Sequence, residues 1–182
     1  MTETVAYEIT GQIGEIELRK YPRMVFATVE SPGNDRGFNL LFSYITGNNR
    51  TKRQIPMTAP VVSSTQIPMT SPVVSDAQSM SFVMPKEKEI DELPEPLDHR
   101  VKITSLPPRE IAVIRFKGYA SPGEVQDITS RLQERLKKSG IATQGQPLLM
   151  RYNAPWIPGF LRRNEVGIEI TGNYQSLRKN GD

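Results

Sequence analysis

The sequence predicts an α+β fold built from two related halves, each offering one helix and a largely antiparallel sheet. Two segments carry apolar residues at helical spacing. The other apolar segments alternate as half-buried strands do, and the same order of elements occurs twice.

The first helix is expected over Asn34–Thr46. Phe38, Leu41, Phe42 and Ile45 fall at i, i+3, i+4 and i+7. Asn34 suits an N-cap, and Gly47 stands where a left-handed residue closes a helix. On this stripe Phe42 is expected in the core, where Phe42→Ala would cost roughly 3–5 kcal/mol. The second helix is expected over Ser121–Ser139, with Val125, Ile128, Leu132 and Leu136 in one stripe. Ser121 and Glu124 form a capping box with Pro122 at the first helical position, Lys137 and Lys138 suit the C-terminal dipole, and Gly140 ends the helix. Strands are expected at Val5–Ile9, Ile13–Tyr21, Met24–Glu30, Ile55–Val62, Ser79–Met84, Arg100–Ser105, Ile111–Lys117, Leu148–Asn153 and Val166–Thr171.

Pro22-Arg23 opens a strand and Ser31-Pro32-Gly33 precedes a helix. Pro108-Arg109 and Ser121-Pro122-Gly123 repeat these markers 86 and 90 residues later. The chain therefore reads as a single domain: a half over 5–85, a connector over 86–99, a half over 100–172 and a flexible tail over 173–182. Pairing the halves would bury both apolar faces and leave a cleft near a pseudo-twofold axis. Gln54–Val62 recurs as Gln66–Val74, and its prolines confine it to a sheet edge or bulge. Lys86–Pro96 is charged and Pro-rich and reads as solvent-exposed.

Composition removes several functions. The 182 residues include no cysteine, which excludes disulfides, thiolate metal sites and cysteine nucleophiles. A dispersed net charge of +3 is no nucleic-acid footprint. No stretch approaches 18 apolar residues and the start lacks a signal-peptide pattern, so the expectation is a cytoplasmic protein without a membrane span, monomeric or weakly oligomeric. Phosphate-binding glycine loops are absent.

The catalytic inventory is thin. His99 is the only histidine, between Asp98 and Arg100 after a Pro-rich stretch; it reads as an exposed loop residue, with axial ligation of an iron as the alternative. Arg50-Thr51-Lys52-Arg53 is the one compact basic cluster, either a solvated turn or a partner for an anionic group. Met57, Met69, Met80 and Met84 read as core packing or as cleft lining. Glu165 and Glu169 are expected at the surface; buried in a cleft, either would favour a cation or chemistry. The Tyr152–Val166 loop holds the only tryptophan and reads as rigid and packed.

Several motifs resemble the SOUL haem-binding protein family. They are Tyr7-Glu8-Ile9, Leu18-Arg19-Lys20-Tyr21-Pro22, Gly37-Phe38, Tyr44-Ile45-Thr46-Gly47-Asn48, Ile55-Pro56-Met57-Thr58-Ala59-Pro60-Val61, Ser81-Phe82-Val83-Met84-Pro85 and the Tyr152–Val166 loop. The doubled Pro-Met-Thr segment is similar to prokaryotic members. The resemblance implies a distorted barrel-like fold of two pseudo-symmetric halves, similar to gyrase-inhibitor-like effector-binding domains. It implies non-catalytic binding of haem or another tetrapyrrole in an apolar cleft. On that reading Phe38, Leu41, Phe42, Ile45 and Met57 line the macrocycle, while Arg50, Lys52 and Arg53 meet its propionates. The alternatives are an effector-binding module for a different small apolar or cationic ligand, and a hydrolase-like enzyme on the same scaffold.

Overall fold

A computed structural model describes residues 3–30, 35–50, 70–86, 88–153 and 156–172. The chain begins with strands β1 (Glu3–Thr4), β2 (Glu8–Ile13), β3 (Ile16–Tyr21) and β4 (Met24–Val29), followed by helix α1 (Asp35–Thr46). Next come β5 (Asn49–Arg50), β6 (Thr70–Ser71), β7 (Val73–Ser75), β8 (Met80–Val83), β9 (Glu95–Pro96), β10 (Lys102–Leu106) and β11 (Arg109–Lys117). Helix α2 (Pro122–Lys138), β12 (Ala142–Arg151), a 3-10 turn (Gly159–Leu161) and β13 (Arg163–Thr171) complete the order.

The elements divide between two compact units, and each unit is discontinuous in sequence. Unit 1 is Met1–Val5 with Met24–Leu106; unit 2 is Ala6–Arg23 with Pro107–Asp182. In unit 1 the antiparallel order is β10-β4-β8-β7, and in unit 2 it is β12-β13-β11-β3-β2. The pairing repeats: β4 pairs β8 and β10 as β11 pairs β13 and β3. The strands before the two Pro-Arg markers are exchanged. β3 leads into β4 yet pairs with β11, whereas β10 leads into β11 yet pairs with β4.

In unit 1, Leu41, Tyr44 and Ile45 of α1 pack with Val25, Ala27, Val29, Met80, Phe82, Met84, Leu93 and Val101. The buried face of α1 is Gly37, Leu41, Tyr44 and Ile45. It is turned by roughly 60°, at about 100° per residue, from the stripe Phe38–Leu41–Phe42–Ile45. Tyr44 turns it: the ring is apolar bulk, and its hydroxyl donates to Pro94 O at 2.8 Å. Phe42 is consequently 45% exposed, not core. Asn34 lies outside the described residues. At the other end, Asn48 N–H donates to Ser43 O and Gly47 N–H to Tyr44 O, with Gly47 at φ 133°.

The connector is not solvent-exposed throughout. Leu93 is buried in the core of unit 1, Ile90 packs against it, and β9 pairs with β5. A run rich in charge and proline conceals these two apolar anchors from a composition-based reading.

In unit 2, Leu132 and Leu136 of α2 pack on Ile16, Leu18, Ala112, Ile114, Val166, Ile168 and Ile170. The Ser121–Glu124 capping box forms as expected, and Ile141 N–H closes the helix on Leu136 O. Two strands are longer than their apolar content suggests. β12 starts at Ala142 because a register shift between Gln144 and Leu148, with Gly145 at φ 72°, carries it through a polar Gly-Pro run. β13 starts at Arg163 because its first polar residues face inward.

Leu41→Ala should cost about 2–5 kcal/mol and Phe42→Ala about 1 kcal/mol in urea melts, since only the first leaves a cavity. Equal losses would put Phe42 back in the core.

Candidate functional site

Unit 1 presents an aromatic surface on α1. Phe38 and Phe42 are one turn apart, their ring centroids 5.9 Å apart and their planes 12° from parallel. Phe38 also meets Phe82 edge-on at 5.3 Å, so the core fixes the inner ring and the inner ring supports the outer one. Below it lie Leu41 and Ile45, buried and unavailable to direct contact with a ligand. Arg50, exposed on β5, is close in sequence to the end of α1. The backbone places His99 nearer than sequence distance suggests: Leu97 N–H donates to Asn48 O, bringing the exposed turn that holds His99 to the C-terminal end of α1. Asp98 spends its carboxylate on Arg100, at 2.9 and 2.7 Å. Lys52, Arg53, Met57 and Met69 lie outside the described residues, as do the expected strand Ile55–Val62 and the tail 173–182. Met80 and Met84 are core residues.

Unit 2 buries a charged network on the sheet face away from α2. Alternation along β3 turns Ile16 and Leu18 to the helix and Glu17, Arg19 and Tyr21 the other way. Arg19 and Glu165 are both fully buried, in contrast to the surface position expected for Glu165. Arg19 donates to the two Glu165 oxygens at 2.7 and 3.1 Å, to Tyr21 Oη at 3.2 Å and to Glu17 at 2.8 Å. Glu165 also accepts from Tyr152 Oη at 2.7 Å, from Arg163 at 2.8 and 3.2 Å, and from Arg115 at 3.3 Å. The Arg19 and Arg163 guanidiniums lie over the Tyr7 and Tyr152 rings at 4.1 and 4.2 Å.

Burial alone would raise the Glu165 carboxyl. The hydrogen bonds from Arg19, Arg163 and Tyr152 overcome that and hold it at about 2. Burial, assisted by Glu165, pushes the Tyr152 hydroxyl far up. Glu165 is thus a satisfied anion among cations, neither a base at neutral pH nor an open cation site. Glu169, half-buried, faces Arg109 at 3.6 Å and accepts from Gln144 at 2.6 Å. These two sit with Lys20 and Thr171 in a shallow depression of about 330 Å³. Among the described residues no group of His, Asp and Glu could hold a metal ion, and no helix is long and apolar enough to cross a membrane.

The sequence reading missed Arg19, Arg115 and Arg163 as partners of Glu165. The available signal was parity: Glu17, Arg19 and Tyr21 share one face of a strand whose other face is apolar.

One helix on an antiparallel sheet, twice, defines an α+β fold that solved structures share. The C-terminal domain of EcmrR is similar with a TM-score of 0.57 at 10% identity, covering 92% of this chain and 99% of that one. A hydrolase from Listeria innocua is similar with a TM-score of 0.54 at 12% identity, covering 86% and 92%. At these identities the likeness is one of fold. The model of the SOUL heme-binding protein family matches residues 2–169. Human Heme-binding protein 2 is 32% identical over 162 residues, 85% of this chain and 78% of that protein. The chain belongs to the SOUL heme-binding protein family.

Glu165 resists protonation in the folded chain while its unfolded form protonates near 4.5. Its stabilising contribution is therefore complete above pH 4.5 and is lost as pH falls toward about 2. Glu165→Gln should cost about 3–5 kcal/mol at neutral pH by stranding the buried Arg19 guanidinium. It should also flatten the melting-temperature profile between pH 4.5 and 2 relative to wild type; parallel profiles would show that the network contributes nothing in acid.

Proposed function

We propose that the protein binds haem or another tetrapyrrole, without catalysis, over the aromatic face of α1. The observation that carries this reading is the stacked Phe38–Phe42 pair, held by Phe82 from beneath and 45% exposed at Phe42. A flat macrocycle needs a flat apolar partner, and a fixed aromatic pair presents one without ordering costs at the moment of binding. Arg50, Lys52 and Arg53 follow α1 closely in sequence and are cations suited to propionates. Leu41 and Ile45 support the face from inside rather than touch the ligand.

Family membership and the human relative named for haem binding support the same ligand. The reading of a different, cationic ligand finds no support at Glu165, which is engaged by three arginines and a tyrosine. That engagement also supports a non-catalytic role, since it leaves Glu165 unsuited to act as a general base. The cytoplasm remains the compartment we propose, with a small molecule as the partner and a monomer or weak oligomer as the assembly.

His99 has its carboxylate neighbour committed to Arg100 and sits in an exposed turn, so it is a poor axial ligand. Haemin titration followed at the Soret band should show binding that survives His99→Ala. Phe42→Ala should weaken it roughly tenfold through lost apolar contact. The triple Arg50/Lys52/Arg53→Ala variant should lose a smaller, salt-sensitive share. Abolition by His99→Ala alone, with the fold intact by circular dichroism, would overturn the placement.

A further inference from the structure

Unit 2 carries a surface that neither the charged network nor the face of α1 uses. Tyr119, just after β11, is 68% exposed; Trp156, Phe160 and Leu161, between β12 and β13, are 82%, 72% and 60% exposed. The sequence led us to expect this loop to be packed. Its backbone is braced, yet its large apolar side chains point to water. Arg162 Nε donates to Ile157 O at 2.6 Å, Arg163 N–H to Asn153 Oδ1 at 2.6 Å, and Asn164 Nδ2 to Gly118 O at 2.9 Å. A Cβ on Gly159 would overlap the Tyr119 ring, and the Arg162 guanidinium lies 5.0 Å from that ring's centroid. The 3-10 turn and Tyr119 therefore form one surface. The next residue, Ala120, is held at φ 54°, a conformation an alanine adopts at a cost.

The charge around this surface is mostly positive. Lys117, Arg151 and Arg162 stand in the segments that carry it, Arg115 and Arg163 are taken up by Glu165, and the Glu124 carboxylate lies beside Gly118. Burial and then the neighbouring Arg162 both disfavour the charged form of Arg151. Trp and Tyr favour the headgroup zone of a bilayer, while Phe and Leu enter the acyl boundary. Cations flanking them are drawn to anionic lipid. A second copy of the chain would instead bring two such cationic surfaces together.

We propose that Tyr119, Trp156, Phe160 and Leu161 form a docking surface for an anionic lipid bilayer, with Arg151 and Arg162 toward the headgroup phosphates. The protein lies on the membrane by this surface and does not span it. The proposal is independent of the haem reading and is tested without haemin.

Trp156 is the only tryptophan, so it reports on the surface directly. Intact protein is titrated with vesicles of phosphatidylcholine alone and with one-third phosphatidylserine. The emission should shift to the blue with the anionic vesicles, be quenched by lipids brominated on their acyl chains, and revert as salt is raised. Phe160→Ser and Leu161→Ser, both at exposed positions, should each weaken vesicle co-sedimentation roughly tenfold while leaving the melting temperature unchanged. Three outcomes would overturn the proposal: no shift with anionic vesicles at low salt, unchanged co-sedimentation of both variants, or a blue shift that grows with protein concentration in the absence of lipid. The last would assign the surface to a second copy.

Discussion

A carboxylate taken wholly out of water must be answered by its surroundings, and in this chain the answer organises unit 2. Glu165 on β13 is met by Arg19 from β3, Arg115 from β11, and Arg163 and Tyr152 from the ends of β13 and β12. Losing any one cation leaves buried charge partly unanswered, so the network acts as a whole. It also fixes register. A one-residue slip of β3 would send Arg19 into the apolar layer under α2 and turn Leu18 onto Glu165. The network thus specifies a unique strand pairing more than it adds to net stability, given that a well-packed apolar substitute could be as stable.

The same need to satisfy a polar atom sets the orientation of α1. Tyr44 is buried only because its hydroxyl finds Pro94 O, and the connector that supplies this carbonyl also contributes Leu93 to the core. Burial drives the Tyr44 hydroxyl up to about 12, so it stays a neutral donor at any physiological pH. Turning Tyr44 inward turns Phe42 outward. The aromatic face that we assign to the ligand is thus a consequence of core packing in unit 1, and its rigidity follows from Phe38 resting on Phe82.

Much of the fold was legible in the sequence because its signals are local. Capping box, proline and glycine placed α2 to within a residue of its observed ends, and the 3.6-residue periodicity placed α1. The repeated order of elements was legible as well. Less local features were not. The exchange of β3 and β10 depends on which strand each meets across the sheet, and nothing in either strand's own residues records that choice. The early start of β12 was hidden by a polar Gly-Pro run that only a register shift can carry through a sheet.

By itself the sequence determined the two helices and most of the described strands, the duplicated element order, the family and the ligand class that the family suggests. Tertiary structure decided which side chains meet. It buried Glu165 among arginines drawn from separate strands, rotated α1 so that Tyr44 rather than Phe42 entered the core, and left Trp156 and Phe160 in water on a braced loop. The physical reason is one of range. Helical periodicity and capping act over a few residues, whereas burial and charge pairing are settled between residues as far apart in sequence as Arg19 and Glu165.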